Sequence, residues 1–257
     1  MAGAQPGLRT DVTGAKRTSD PLVFVTGGSS GIGRAMIEAL PWPGARVLNL
    51  SRRAVPGAEH VAVDLATPAG WDRASACFAQ ELAAFAGELA VLVQAAGTLT
   101  PIRFAGEGDA GAYRTNVLLN SAAPQILGDA FLRALRGGRA RGWLLCIGSG
   151  AARSVYEGWS GYGAGKAAVD HWVRTAGAEQ ARRGDRCRIL SVAPGVVATA
   201  MQEEIRTADA ADFPEVERFR ALHRDGALRD PMEVARELWA LRDRALPNGA
   251  VIDLRDA

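Results

Sequence analysis

Apolar and polar positions along this chain change their spacing in a regular rhythm. Short runs that are almost wholly apolar fall at 22–26, 46–50, 60–63, 89–93, 142–147, 187–192 and 250–254, and read as seven strands. Between them, apolar residues recur at helical spacing, for example over 34–40, 71–85, 113–135 and 162–183. Strands that are apolar on both faces, alternating with amphipathic helices, predict a parallel sheet with helices on both sides. Right-handed crossovers then give a doubly wound α/β domain, with ligand bound beyond the C-terminal strand ends. Gly27, Asp64, Gly97, Ser149 and Pro194 all fall just past a predicted strand end. One site fed by five loops is therefore expected. A single domain should span 21–257. Residues 1–20 lack periodicity and read as a flexible arm, and 200–230 reads as a long, charged helical insertion able to close over a substrate as a lid.

Bulk properties narrow the classes. The chain has 257 residues, 48% hydrophobic and 23% charged, which suits one α/β domain with a sizeable core. A formal charge of +2, with arginines dispersed among acids, argues against a general nucleic-acid binder. No stretch approaches the roughly 18 uninterrupted apolar residues of a membrane span, and none of signal-peptide length opens the chain, so a cytoplasmic protein away from membranes is expected. Cys77, Cys146 and Cys187 lack C-x-x-C spacing and read as reduced thiols. His60, His171 and His223 are isolated, so no metal site is expected.

Two constellations carry candidate chemistry. The first strand runs into Thr26-Gly-Gly-Ser-Ser-Gly-Ile-Gly33, followed by a helix. Small residues there let backbone N–H groups approach a pyrophosphate, and the helix N-terminus adds partial positive charge. Gly27, Ser29, Ser30, Gly31, Ile32 and Gly33 are the candidate cradle, although glycine turns also join strand to helix with no ligand. Far downstream, Ser149 ends an apolar strand and Tyr162-Gly-Ala-Gly-Lys166 follows. Tyr162 and Lys166 are one helical turn apart and share a face. A phenol ordinarily ionises near pH ~10, and a nearby ammonium stabilises the phenolate. Such a tyrosine could exchange a proton with a carbonyl oxygen that the Ser149 hydroxyl holds. A surface tyrosine beside a solvated lysine is the plainer alternative.

With these motifs in order, the chain resembles the short-chain dehydrogenase/reductase family from Leu22 to Leu254. The resemblance rests on the glycine turn, Asp64, Gln94-Ala95-Ala96-Gly97, Asn116, Ser149, Tyr162-x-x-x-Lys166 and Pro194-Gly195 with Thr199. Gly97-Thr-Leu-Thr-Pro-Ile102, Ser149-Gly-Ala-Ala152, Gly158-Trp-Ser160 and Pro214-Glu-Val-Glu-Arg-Phe-Arg220 look like the benzil reductase and sepiapterin reductase branch. One departure is Gln94-Ala95, where the family usually has Asn-Asn.

The resemblance implies a Rossmann domain, a nicotinamide cofactor and a homodimer or homotetramer packed through the long helices at 113–135 and 162–183. It implies Asp64 and Leu65 at the adenine, and Ala96 and Gly97 against the cofactor, with Gly97 backing the ribose. Pro194, Gly195, Val197 and Thr199 would grip the carboxamide, although Pro-Gly is also a common turn. Lys166 would bond the ribose, and Asn116 would anchor a water chain that carries protons to it, unless it is a surface Asn with local bonds.

After the second strand, Ser51 stands where NAD selection needs a carboxylate, and Arg52 and Arg53 could pair with a 2′-phosphate, so NADP(H) is expected. Arg52 merely capping the strand end is the alternative. The predicted reaction is reduction of an aromatic or vicinal dicarbonyl, benzil-like or a pterin side chain. Tyr156, Trp159, Met201, Thr100 and Pro101 would form an aromatic wall, with Phe213, Phe219 and Leu222 on the lid. Glu203, Glu204 or Asp212 could meet a pterin ring. Alternatives are an NAD-dependent alcohol dehydrogenase and a non-catalytic NADP(H) sensor.

Overall fold

Alternating side chains of the central strands divide the core in two. A computed structural model describes residues 20–184 and 186–256, so the arm expected at 1–20 lies, apart from Asp20, outside the described residues. Strands β1 (Leu22–Thr26), β2 (Arg46–Ser51), β3 (Glu59–Ala62), β4 (Leu89–Gln94), β5 (Arg141–Ile147), β6 (Cys187–Ala193) and β7 (Ala250–Asp253) form one sheet. Their order is β3-β2-β1-β4-β5-β6-β7, and every neighbouring pair is parallel. The order reverses direction between β1 and β4, which opens a crevice at the C-terminal strand ends.

Helices α1 (Gly31–Glu38), α2 (Pro68–Ala84), α3 (Ala110–Val117), α4 (Ala123–Leu135), α5 (Ser160–Arg182), α6 (Ala200–Arg206), α7 (Val216–Arg224) and α8 (Pro231–Ala240) complete the regular structure. Leu22 and Phe24 of β1 face α2, α4 and α5, where Phe24, Phe78 and Phe131 make edge contacts with centroids 4.9–6.2 Å apart. Val23 and Val25 face α1 and α8, which the Trp239 indole N–H locks together by donating to the Met36 carbonyl at 3.0 Å. Helices therefore cover both sides, as expected.

Two expected elements differ. The helix over 113–135 begins at Ala110 and is interrupted by a π turn, Leu118–Ala122. The insertion at 200–230 is not one long helix but α6 and α7, separated by an irregular segment. A third cluster packs that insertion on the sheet end, with Trp159 and Tyr162 against Ile205, Phe213, Val216 and Phe219.

Candidate active site

A cavity of about 550 Å³ runs along the C-terminal strand ends, from the glycine turn to α7. Its floor is set by close backbone approach. Gly27 has φ +68°, and a Cβ there would stand 2.7 Å from the Ala96 Cα; a Cβ on Gly33 would stand 2.5 Å from the Gly27 carbonyl oxygen. Only glycine lets this turn lie against the end of β4. Ser30 precedes α1 without a side-chain cap bond. Unsatisfied N–H groups of the first turn therefore remain for a ligand at the cavity. A Cβ on Gly31, whose φ is +53°, would stand 3.4 Å from the Thr199 methyl, so the turn also adjoins the segment after β6.

At the β2 end, Asn49 Nδ2 and Ser51 Oγ both donate to the Arg53 carbonyl, at 2.9 and 2.7 Å. The Ser51 hydroxyl thus closes the loop that presents the exposed side chains of Arg52 and Arg53 to the cavity. Asp64 lines the same end, its Oδ1 accepting from the Ala66 N–H at 3.0 Å, with Leu65 buried beside it. In the centre, Thr26 Oγ1 accepts from the Ala95 and Ala96 N–H groups. Gln94, the departure from the family pattern, donates to the Pro124 carbonyl at 3.0 Å and ties β4 to the start of α4.

Ser149, Tyr162 and Lys166 share the opposite wall. Ser149 begins a 3₁₀ turn, and its Oγ accepts from the Ala151 N–H at 3.2 Å. Tyr162 is buried at the start of α5, with the Lys166 Nζ 5.7 Å from its ring centroid. That ammonium donates to the Ile147 carbonyl at 2.8 Å, so it is anchored under the cavity and not loose in water. Pro194, Gly195, Val197 and Thr199 close the wall after β6, where Arg229 braces them by donating to the Pro194 carbonyl at 3.2 Å.

Two sequence candidates do not line the cavity: Gly33, which packs against the Gly27 carbonyl, and Asn116. The Asn116 Nδ2 is spent on the Leu99 and Thr100 carbonyls at 3.2 and 3.0 Å, and its Oδ1 accepts from Asn120 Nδ2 at 2.8 Å. Asn120, inside the π turn, stands closer: a Cβ on Gly97 would lie 3.0 Å from the Asn120 Oδ1 and 3.9 Å from the Lys166 Nζ. The periodicity of the segment gave no reason to prefer one Asn, because both lie on the same helical face and only the π turn separates their surroundings.

Of the expected substrate wall, Tyr156, Trp159 and Met201 line the cavity, while Thr100 and Pro101 do not. Phe213 supports the wall from behind, stacked on Trp159 at 4.5 Å, and Phe219 lines it. The acids offered to a pterin ring stay outside: Glu204 accepts from Thr100 Oγ1 at 2.6 Å, Asp212 pairs with Arg103, and Glu203 is not in the lining. Arg218, Asp253 and Arg255 line the cavity as well. Arg218 lies in the 214–220 segment that carried the branch resemblance but was not singled out, and Asp253 and Arg255 meet the cavity only through the fold.

The family model described as short chain dehydrogenase matches residues 21–210. The chain is 36% identical over 165 residues to a benzil reductase ((S)-benzoin forming) of Bacillus subtilis (strain 168), covering 64% of this chain and 68% of that protein. It is 33% identical over 162 residues to the Bacillus cereus enzyme of the same description, covering 63% and 65%. A solved structure, a putative NAD(P)-dependent gluconate 5-dehydrogenase from Beutenbergia cavernae with bound NADP at low occupancy, superposes with a TM-score of 0.70 at 25% identity, over 91% of this chain and 94% of that one.

Proposed function

The chain belongs to the short-chain dehydrogenase family, close to its benzil reductases, and on that premise we propose a cytoplasmic, NADPH-dependent reductase of aromatic vicinal dicarbonyl compounds. One observation carries the reading: Ser149, Tyr162 and Lys166 converge on a cavity whose far end is a glycine turn with free helix N–H groups.

Reduced nicotinamide bound there supplies the hydride, and that chemistry is the cofactor's own. The protein's part is to orient and to move a proton. Ser149 donates to the carbonyl oxygen, and Tyr162 gives that oxygen its proton. Lys166, fixed by the Ile147 carbonyl, keeps a positive charge beside the phenolate left behind. We assign the water-chain anchor to Asn120, with Asn116 holding its amide in place from behind.

Arg52 and Arg53 favour the phosphorylated cofactor, since guanidinium groups pair bidentately with a phosphate and no carboxylate stands at Ser51 to repel it. Glu203, Glu204 and Asp212 stand outside the cavity wall, and Asp253, which lines it, is paired with Arg255, which favours a diketone over a pterin. Assembly as a homodimer or homotetramer through α4 and α5 belongs to the same reading.

Loss of absorbance at 340 nm on mixing the protein with benzil tests it. NADPH should be consumed with a kcat/KM about tenfold or more above that for NADH, the worth of one or two charge-assisted bonds. Binding of dinucleotide without consumption across a panel of diketones would overturn it.

A further inference from the structure

Charge along the cavity is uneven in a way that the reading above does not use. Among the described residues, its charged lining comprises five cations and two carboxylates. Arg52, Arg53 and Asp64 stand at the β2 end, and Lys166 lies under Tyr162. Arg218, Asp253 and Arg255 are left over at the substrate end. Two of these cancel: Arg255 Nε and Nη2 donate to the Asp253 oxygens at 2.8 and 2.7 Å, and that fork holds the Asp253 carboxyl below the usual range. Arg218 is not balanced in this way. Its contacts with the Tyr156 hydroxyl and with Glu215 are both 3.4 Å, well beyond the ~2.9 Å typical of N–H···O bonds. Its guanidinium lies 6.0 Å from the Tyr156 ring centroid and 5.9 Å from that of Phe219, against the aromatic wall itself.

Distance from the reacting centre is set by rings in contact. Tyr162 and Trp159 have centroids 5.5 Å apart, and Trp159 and Tyr156 5.1 Å. Arg218 and the Tyr156 hydroxyl therefore stand two ring contacts along the wall from the proton donor. An apolar wall that ends in a loosely held guanidinium and a phenol hydroxyl recognises an amphiphilic anion. One arginine, held only by long contacts to Tyr156 and Glu215, suits the single charge of a carboxylate.

We infer that the preferred substrate is an aryl ketone bearing a carboxylate on its aryl group, away from the reacting carbonyl, docked on Arg218 and the Tyr156 hydroxyl. This rests on the carbonyl-reductase reading. In the reaction the ketone carbon takes a hydride from reduced nicotinamide, the oxygen takes the Tyr162 proton, and the carboxylate is unchanged.

Steady-state kinetics with benzil, benzil-4-carboxylate and its methyl ester test the inference. In the wild-type protein, kcat/KM should be about tenfold higher for the carboxylate than for the ester, as a partly shielded charge-assisted bond allows. Arg218→Met, which keeps an unbranched side chain without the charge, should bring that ratio to about one, and Arg218→Lys should restore part of it. Turnover of benzil with no preference for the carboxylate, or a preference that survives Arg218→Met, overturns this inference alone. Failure to reduce any of the three overturns the carbonyl-reductase reading and this inference together.

Discussion

Half-buried Lys166 is flanked on its own helix by a buried acid. One turn further along α5, Asp170 is only 4% exposed, and its Oδ1 accepts from the Ser191 hydroxyl at 2.6 Å. Burial pushes the Asp170 carboxyl above its ordinary value of 3.8, against the Ser191 bond and the charges of Arg174, Arg153 and Lys166. A raised folded value means that the native state holds the proton more tightly than the unfolded chain does. Stability then declines as pH rises from about 4 through the folded value. Asp170→Asn keeps an acceptor for Ser191 and removes that dependence. Its melting temperature should match the wild type near pH 4 and exceed it at pH 7, by about 2–4 °C per kcal/mol in a chain of this size. A lower melting temperature at pH 7 would mean that the carboxylate stabilises the lysine more than its burial costs. At Tyr162 the expectation concerns rate. Tyr162→Phe removes the proposed proton donor but keeps the ring that packs on Trp159. Turnover should fall by about 10²–10⁴-fold, the usual contribution of a positioned acid. NADPH affinity, read by fluorescence titration, should stay within about twofold, because the phenol hydroxyl acts on the substrate oxygen and not on the dinucleotide phosphates.

At the scale of elements, the strands were legible because both faces of the central ones are buried, which leaves runs such as Leu-Val-Phe-Val and Leu-Leu-Cys-Ile with no polar break. The catalytic candidates were legible for a related reason: Tyr162 and Lys166 are local to one helix, and Gly27 to Gly33 are local to one turn. Interruptions and distant partners were not. Leu118–Ala122 contains no Gly or Pro. The local sign of the π turn is Pro124 just beyond it, which has no N–H to give the Asn120 carbonyl and which the apolar spacing over 113–135 passed over. Helix α8 did carry a signal that the pattern of apolar runs passed over: Asp230 accepts from the Met232 and Glu233 N–H groups at 2.8 and 3.0 Å, and Pro231 takes the first helical position. The π turn depends on a close fit with α5. A Cβ on Gly165 would stand 2.9 Å from the Asn120 Cβ and 3.3 Å from its backbone carbonyl carbon. Gly165→Ala should therefore push Asn120 away from Lys166. Overpacking of this kind costs about 1–3 kcal/mol, so thermal melts should shift down by several degrees. The sharper readout is kcat, which should drop while the KM for NADPH holds. A variant that melts earlier at unchanged kcat would show that Asn120 only fills space.

Over the whole molecule, the cavity is bordered by segments that are far apart in sequence: the β2 loop, the start of α1, the end of β4, the start of α5 and the turn after β6. A ligand bridging them joins both halves of the sheet, so its binding energy adds to global stability. At a concentration of 100 Kd, a ligand that binds only the folded state contributes about 2.7 kcal/mol. With about 2–4 °C per kcal/mol, the melting temperature should rise by roughly 5–11 °C. On the proposed reading, Arg52 and Arg53 pair with a 2′-phosphate and have no counterpart for a plain ribose. At equal concentration NADPH should therefore raise the melting temperature by several degrees more than NADH does. Exposed arginines act partly through long-range attraction, so raising the salt from 0.05 to 0.5 M should narrow the gap. Arg52→Asp places a carboxylate where NAD recognition calls for one, and should reverse the order of the two dinucleotides. Because differential scanning fluorimetry needs no turnover, this comparison separates cofactor choice from catalysis. Equal shifts for the two dinucleotides in the wild type would leave Arg52 as a solvated end to β2 and return the protein to NAD.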